Sequence, residues 1–108
     1  MREIKESDWK ILRQLHKTAL ERYCKKVLID IQQISNNAES DHHQRYLSIY
    51  NLIRERDKEI AEVFDDLRRS RAFFTLALMK KKRLLTSEEL ATLSEETREA
   101  IDLLLGIA

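Results

Sequence analysis

Proline is missing from the sequence, and glycine and cysteine each occur once. β-Hairpins depend on turn residues such as Asn-Gly, and loops that cradle phosphate depend on several glycines. The single glycine, Gly106, and the single cysteine, Cys24, therefore allow no Gly-rich nucleotide loop and no disulfide within the chain. Helix-forming residues dominate instead, so the sequence predicts an all-α fold.

Long apolar runs are missing as well. No stretch approaches the ~20 apolar residues that cross a bilayer, and the first six residues do not resemble a signal peptide. We therefore expect a cytoplasmic protein with no membrane partner. Neither sign of charge dominates, since 20 basic residues stand beside 19 acidic ones, and this balance predicts solubility without indicating a partner.

Residues 1–108 are predicted to form a single helical domain, an antiparallel hairpin with a long second helix and two short C-terminal helices in a bundle-like arrangement. Helix 1 is predicted over 8–35, with Ser7 as its N-cap. The second helix covers 41–83, which contains neither Gly nor Pro. Two strong start signals predict short helices over 87–92 and 95–105, and Gly106 ends the second of them.

The stretch 41–83 is the element around which the chain is organised. Its apolar residues recur in alternating steps of four and three if Asp57 and Arg71 hold two of the positions, and this is the coiled-coil spacing of a helix packed against another helix. They are Tyr46, Tyr50, Ile53, Ile60, Phe64, Leu67, Phe74 and Leu78. An unbroken helix would be ~65 Å long at ~1.5 Å per residue, whereas a compact domain of this size has a radius of gyration of ~13 Å. The helix must therefore bend, with Ser70 as the expected place, or project and be covered by another chain.

Two charged residues, Asp57 and Arg71, occupy positions in this apolar seam. A connection centred near Ala38 would place Phe64 beside Arg13, Asp57 near Lys17, and Arg71 near Glu6 and Asp8. Because buried charge is costly unless it is paired, we interpret Asp57 and Arg71 as a structural polar seam that fixes helix alignment. A functional polar site between the helices is the alternative.

Beyond helix 1, the segment 72–79 is apolar on nearly all sides, so it must be buried on all sides. We expect the C-terminal helices to cover it.

Candidate catalytic and metal-binding groups are sparse. Glu39 and His42 have the Glu-x-x-His spacing of di-iron bundles, but the second pair that such a site needs is missing. Cys24 is expected to be a packed, inert thiol, and His16 lies about two turns away from it. We therefore predict no catalytic residue, no metal ligand and no cofactor. A small metal-dependent helical-bundle enzyme is the third-ranked hypothesis for the function.

Basic residues are concentrated in 68–83, where seven occur without an acidic residue. Candidate phosphate contacts are Arg68, Arg69, Lys80, Lys81, Lys82 and Arg83. Their directions around a helix are scattered, and the acidic C-terminal block can neutralise them from within. A nucleic-acid-associated protein is therefore the second hypothesis.

The leading hypothesis is a helical protein–protein interaction module that self-associates and has no catalysis of its own. Several apolar residues lie off the predicted intramolecular seams: Ile11, Ile29, Ile49, Leu52 and Phe73. Apolar patches beyond a few hundred Å² are uncommon on monomers. These residues therefore predict a homodimer interface of at least ~1,000 Å², with a different protein as the other candidate partner.

Overall fold

The helices at both ends of the chain begin and end close to their predicted positions. The computed structural model describes residues 3–107, and that part of the chain contains no strand, so the all-α prediction is confirmed. The α-helices are α1 (Glu6–Ser35), α2 (His42–Phe64), α3 (Ala72–Lys81), α4 (Ser87–Ala91) and α5 (Glu95–Leu105), and a 3₁₀ turn covers Arg69–Arg71. The predicted N-cap was wrong, because α1 starts at Glu6 and Lys5 precedes it without a capping side chain.

A short polar connection makes α1 and α2 antiparallel neighbours. Asn37 accepts a hydrogen bond from the Glu39 amide at 3.1 Å, and Asp41 caps α2 by accepting one from the Gln44 amide at 2.7 Å. Across the connection, Nη1 of Arg45 donates to the Ser35 carbonyl at 2.8 Å, which anchors the start of α2 on the end of α1.

The register of this hairpin differs from the prediction by about one helical turn. Nε2 of His16 lies 3.1 Å from the carbonyl oxygen of Phe64, whereas the prediction placed Phe64 beside Arg13. The prediction took the midpoint of the connection as the centre of pairing. The bond from Arg45 to the last residue of α1 fits the observed alignment.

The predicted helix over 41–83 is interrupted. The chain leaves helical geometry after Phe64, forms the 3₁₀ turn around Ser70, and starts again as α3 at Ala72. The carboxylate of Asp66 in this connection accepts hydrogen bonds from Arg68 at 2.8 Å and Arg71 at 3.0 Å. The sequence left two alternatives, a bend near Ser70 or a long projecting helix. The structure shows the first, because the chain breaks near Ser70 and no helix of ~65 Å forms.

The core lies where α3 packs against α1 and α5. Residues of α3 that are buried include Leu76 and Met79, and α5 packs along α3 with Ile101 in the same core. The prediction that the C-terminal helices cover 72–79 is thereby confirmed, but burial on all sides was wrong, because Phe74 remains 42% exposed. Full burial of one such aliphatic side chain contributes ~1.5–3 kcal/mol, so this contact stabilises the C-terminal half strongly.

Local signals explain the ends of the short helices. Thr86 and Glu89 form a reciprocal capping box at the start of α4, and Ser94 accepts from the Thr97 amide at the start of α5. Gly106 ends α5 in the left-handed conformation, with φ of 74°. Arg83 reverses the chain after α3 with φ of 60°, a conformation that is uncommon for a residue with a side chain.

The described chain is elongated, with principal extents of 53 × 25 × 24 Å and a radius of gyration of 16.8 Å. Fully buried residues of α1 end at Tyr23, and those of α2 are Val63 and Phe64. Residues 24–62, here called the hairpin arm, therefore extend away from the core as a two-helix layer. The contact between the two helices of the arm leaves much of each helix exposed.

Candidate interaction surface

A buried carboxylate joins the first helix to the last. Asp8 is 2% exposed, and its oxygens accept from the Ser94 amide at 3.0 Å, the Ser94 hydroxyl at 2.5 Å and the Thr97 hydroxyl at 2.6 Å. Burial acts to raise the pKa of Asp8, but the hydrogen bonds from Ser94 and Thr97 outweigh it and hold that pKa below its usual value. The negative charge also lies at the N-terminus of α5, where the helix dipole favours it.

A second polar contact attaches α4 to α1. The guanidinium of Arg22 makes two hydrogen bonds to Glu89, at 2.5 and 3.0 Å, and donates to the Leu84 carbonyl at 2.8 Å. The bonds from Arg22 are the main cause that lowers the pKa of Glu89 to about 2. Glu89 therefore stays ionised while its other contacts complete the capping box.

A third cluster lies at the base of the hairpin arm. Tyr23 donates to the carboxylate of Glu59 at 2.5 Å, and Lys82 and Arg56 lie 3.4 and 3.5 Å from the same carboxylate. The bond from Tyr23 is the largest cause that lowers the pKa of Glu59, whereas burial raises the pKa of Tyr23. In all three clusters, the described polar atoms join helices to one another, which assigns the clusters a structural role.

The residues considered for metal or thiol chemistry do not converge. His42 and His43 are exposed at the start of α2, and Cys24 is half-buried on α1. Within residues 3–107, no group of three or more His, Cys, Asp or Glu side chains could hold a metal ion. His16 instead packs edge-on against the Phe64 ring, with ring centroids 5.2 Å apart.

The six basic residues considered for phosphate binding are spread over several surfaces. Four of them contact acidic side chains of the same chain: Arg68 contacts Asp66, Arg69 contacts Glu6, Lys80 contacts Asp102, and Lys82 contacts Glu59. Lys81 and Arg83 are exposed near the end of α3. The structure therefore does not gather the six into one basic face.

The predicted polar seam was wrong in both of its contacts. Asp57 is exposed on α2, so it does not lie in a buried contact with α1. Arg71 pairs with Asp66 at 3.0 Å, and Glu6 pairs with Arg69. Pairing of Arg71 near Glu6 or Asp8 was expected from an unbroken helix, and the turn before α3 moves Arg71 beside Asp66.

The five predicted interface residues are not equally exposed. Ile29 is exposed, whereas Ile11 and Phe73 pack partly against the core, and Ile49 and Leu52 are half-buried. Leu52 lines a cleft together with Ile34 of α1, so it contributes to the hairpin contact. The contact side of α2 had been assigned to Tyr46, Tyr50 and Ile53, which the structure leaves exposed.

These three residues form the most regular exposed apolar row on α2, here called the tyrosine stripe. Tyr46, Tyr50 and Ile53 are 65%, 52% and 48% exposed. Their steps of four and three place them on one side of the helix. On the α1 side of the hairpin arm, Leu28 and Ile29 are also exposed. The sequence contains the correct spacing for the stripe, but spacing alone does not tell which of two apolar rows on a helix meets the neighbouring helix.

A second apolar surface, here called the C-terminal groove, lies at the opposite end of the molecule. Its volume is about 600 Å³, and its apolar lining residues are Ile4, Phe73, Phe74, Ala100, Leu103 and Leu104. The guanidinium of Arg71 lies over the Phe74 ring, 5.0 Å from the centroid. The two arginines at its edge, Arg69 and Arg71, are each paired with an acidic residue of the same chain. Glu3 and Ser70 complete the lining, so the groove combines an apolar floor with charges of both signs.

Comparison with known proteins gives no relative of this chain. No protein-family model, no curated protein and no solved structure matches it. Within the described residues, no helix has the length and apolarity that a membrane crossing requires.

Proposed function

We propose that this protein is a helical protein–protein interaction module that forms a homodimer through its hairpin arm, in the cytoplasm and without catalysis of its own. The observation that carries this proposal is the tyrosine stripe, whose three members are each about half exposed or more on a projecting helix. Tyrosine is enriched at protein interfaces because its ring is apolar and its hydroxyl is polar. A regular row of such residues is better explained by a partner helix than by solvent.

The surrounding structure supports the same surface. The core at the base of the hairpin arm is closed by α3, α4 and α5, and Val27 and Ile60 of the arm pack against it, whereas α1 and α2 contact mainly each other along the rest of the arm. A two-fold pairing of two arms would produce a four-helix arrangement, in which each helix gains a second neighbour. A different protein that offers an apolar helix would fit the same surface.

Substitution of Tyr50 tests this proposal. We expect Tyr50→Glu to raise the dissociation constant of the dimer by about 30-fold, or about 2 kcal/mol, because it places a charge in the middle of the contact. Asn51→Glu is the matched control, since Asn51 is exposed on the same helix but outside the tyrosine stripe. Light scattering over a concentration series measures the mass of the unmodified protein and of both variants.

The unmodified protein and Asn51→Glu should show twice the 12.9 kDa chain mass at concentrations where Tyr50→Glu is monomeric. Helicity measured by circular dichroism should be equal in all three proteins. An unmodified protein that stays at 12.9 kDa at every concentration would contradict the proposal.

A further inference from the structure

The tyrosine stripe continues into a charged residue. Asp57 follows Ile53 by four positions, so Tyr46, Tyr50, Ile53 and Asp57 keep the four, three, four spacing of a helix-packing seam. Asp57 is exposed and forms no ion pair within the part of the chain that the structure describes. The carboxylate at the end of the seam needs a hydrogen-bond donor or a cation from the partner, which an apolar row alone would not require.

We infer that the occupant of this seam is the seam of a second copy, running antiparallel, so that Tyr50 lies beside Ile53 of the second copy and Tyr46 lies opposite Asp57 of the second copy. This inference rests on the proposed function and adds the direction and register of the two helices. In this antiparallel register, position 46 lies opposite 57 and position 50 lies opposite 53. Each of the four seam residues therefore faces a seam residue of the other copy, which no other antiparallel register achieves. A two-fold axis then passes between positions 51 and 52.

Charge favours the antiparallel direction. In a parallel two-fold pair, each seam residue meets its own counterpart, so the two Asp57 carboxylates would lie opposite each other. Juxtaposed like charges oppose association. The antiparallel register moves the two carboxylates to opposite ends of the contact, where each meets a tyrosine hydroxyl.

The chemistry of the pair of Tyr46 and Asp57 is self-consistent. A phenol hydroxyl donates and an ionised carboxylate only accepts, so Tyr46 of each copy supplies the donor that Asp57 of the other copy needs. A hydrogen bond to an ionised acceptor is shorter and stronger than one between neutral groups. Two such bonds, one at each end of the stripe, would fix the register in the way that single polar residues fix it in coiled coils.

Distances between spin labels test the direction directly. Asn51 and Lys58 are exposed, lie outside the seam, and are seven positions apart, so they share one side of α2. Labels are attached to single cysteines at 51 or 58 in a Cys24→Ser background, in the full chain. In the inferred register, the two labels at 51 are offset along the helix axis by about 2 Å and the two labels at 58 by about 20 Å.

A clearly longer distance at 58 than at 51 is the expected result. Equal distances at the two positions would show a parallel pair and overturn the inference while the dimer stands. A dimer mass with no measurable distance at 51 would place the contact on another surface, such as the C-terminal groove, and would also overturn it. Light scattering on the same labelled samples separates these outcomes from a monomer, which would contradict the proposed function itself.

Discussion

At the scale of single residues, the carboxylate of Asp8 joins the two ends of the chain. It is ionised, it is buried, and all of the contacts that it makes with Ser94 and Thr97 come from donors at the start of α5. Those donors lie more than 80 positions away in the sequence. No local pattern around Asp8 indicates that contact, so the sequence predicted only the start of a helix after Ser94.

Removal of this carboxylate should destabilise the fold. We expect Asp8→Ala to lower the free energy of unfolding by about 3 kcal/mol, since it leaves a buried amide and two hydroxyls without their acceptor. Asp65→Ala is the control, because an exposed aspartate outside both the core and the tyrosine stripe should change stability by only ~0.5 kcal/mol or less. Urea unfolding at one protein concentration measures both, and equal midpoints for the two variants would be inconsistent with the role given to Asp8.

His16 should make stability depend on pH. Burial lowers the pKa of His16 below its ordinary value of 6.5, although its bond to the Phe64 carbonyl partly opposes this. The folded state therefore favours the neutral ring, so its contribution is fully present above pH 6.5 and is lost as the pH falls through the lower folded pKa.

We expect the melting temperature of the unmodified protein to fall between pH 7.5 and pH 5 by more than that of His16→Gln, which keeps a donor but does not titrate. His42 and His43 remain in both proteins, so any part of the change that arises from them cancels in the comparison. A parallel fall in both proteins would show that His16 does not cause it.

At the scale of elements, helix ends marked by capping residues could be predicted and a break without such marks could not. α4 and α5 start at capping residues and α5 ends at Gly106, so their bounds agree with prediction to within one residue. The break after Phe64 contains neither Gly nor Pro, and in it Asp66 accepts hydrogen bonds from two arginines. The contact side of α2 was missed for a related reason, since the choice between two apolar rows is made by α1 and not by α2.

The short C-terminal helices should be essential for solubility. Deletion of residues 86–108 uncovers buried side chains of α3, including Leu76 and Met79, and removes Glu89, the carboxylate that pairs with Arg22. We expect this truncated protein to bind hydrophobic dyes and to aggregate, whereas deletion of 107–108 alone should change neither property. A soluble truncation with unchanged helicity would show that α3 does not depend on α4 and α5.

At the scale of the whole molecule, burial is unevenly distributed along the 53 Å axis. Buried residues lie at the base, around α3, whereas none of residues 24–62 in the hairpin arm is as buried as the core residues. Since local opening costs less where fewer apolar contacts must be broken, the hairpin arm can open without unfolding the base. We therefore expect its outer turns to exchange their amide hydrogens faster than the helices of the core.

This gradient has a consequence for how two copies meet. If the arms order each other on contact, part of the association energy is used to suppress their fraying, and the measured affinity is weaker than the contact alone would give. The outer end of each arm would then be ordered only when a partner is bound. The order of the outer end of the arm would then depend on protein concentration, whereas the base would stay folded in monomer and dimer alike.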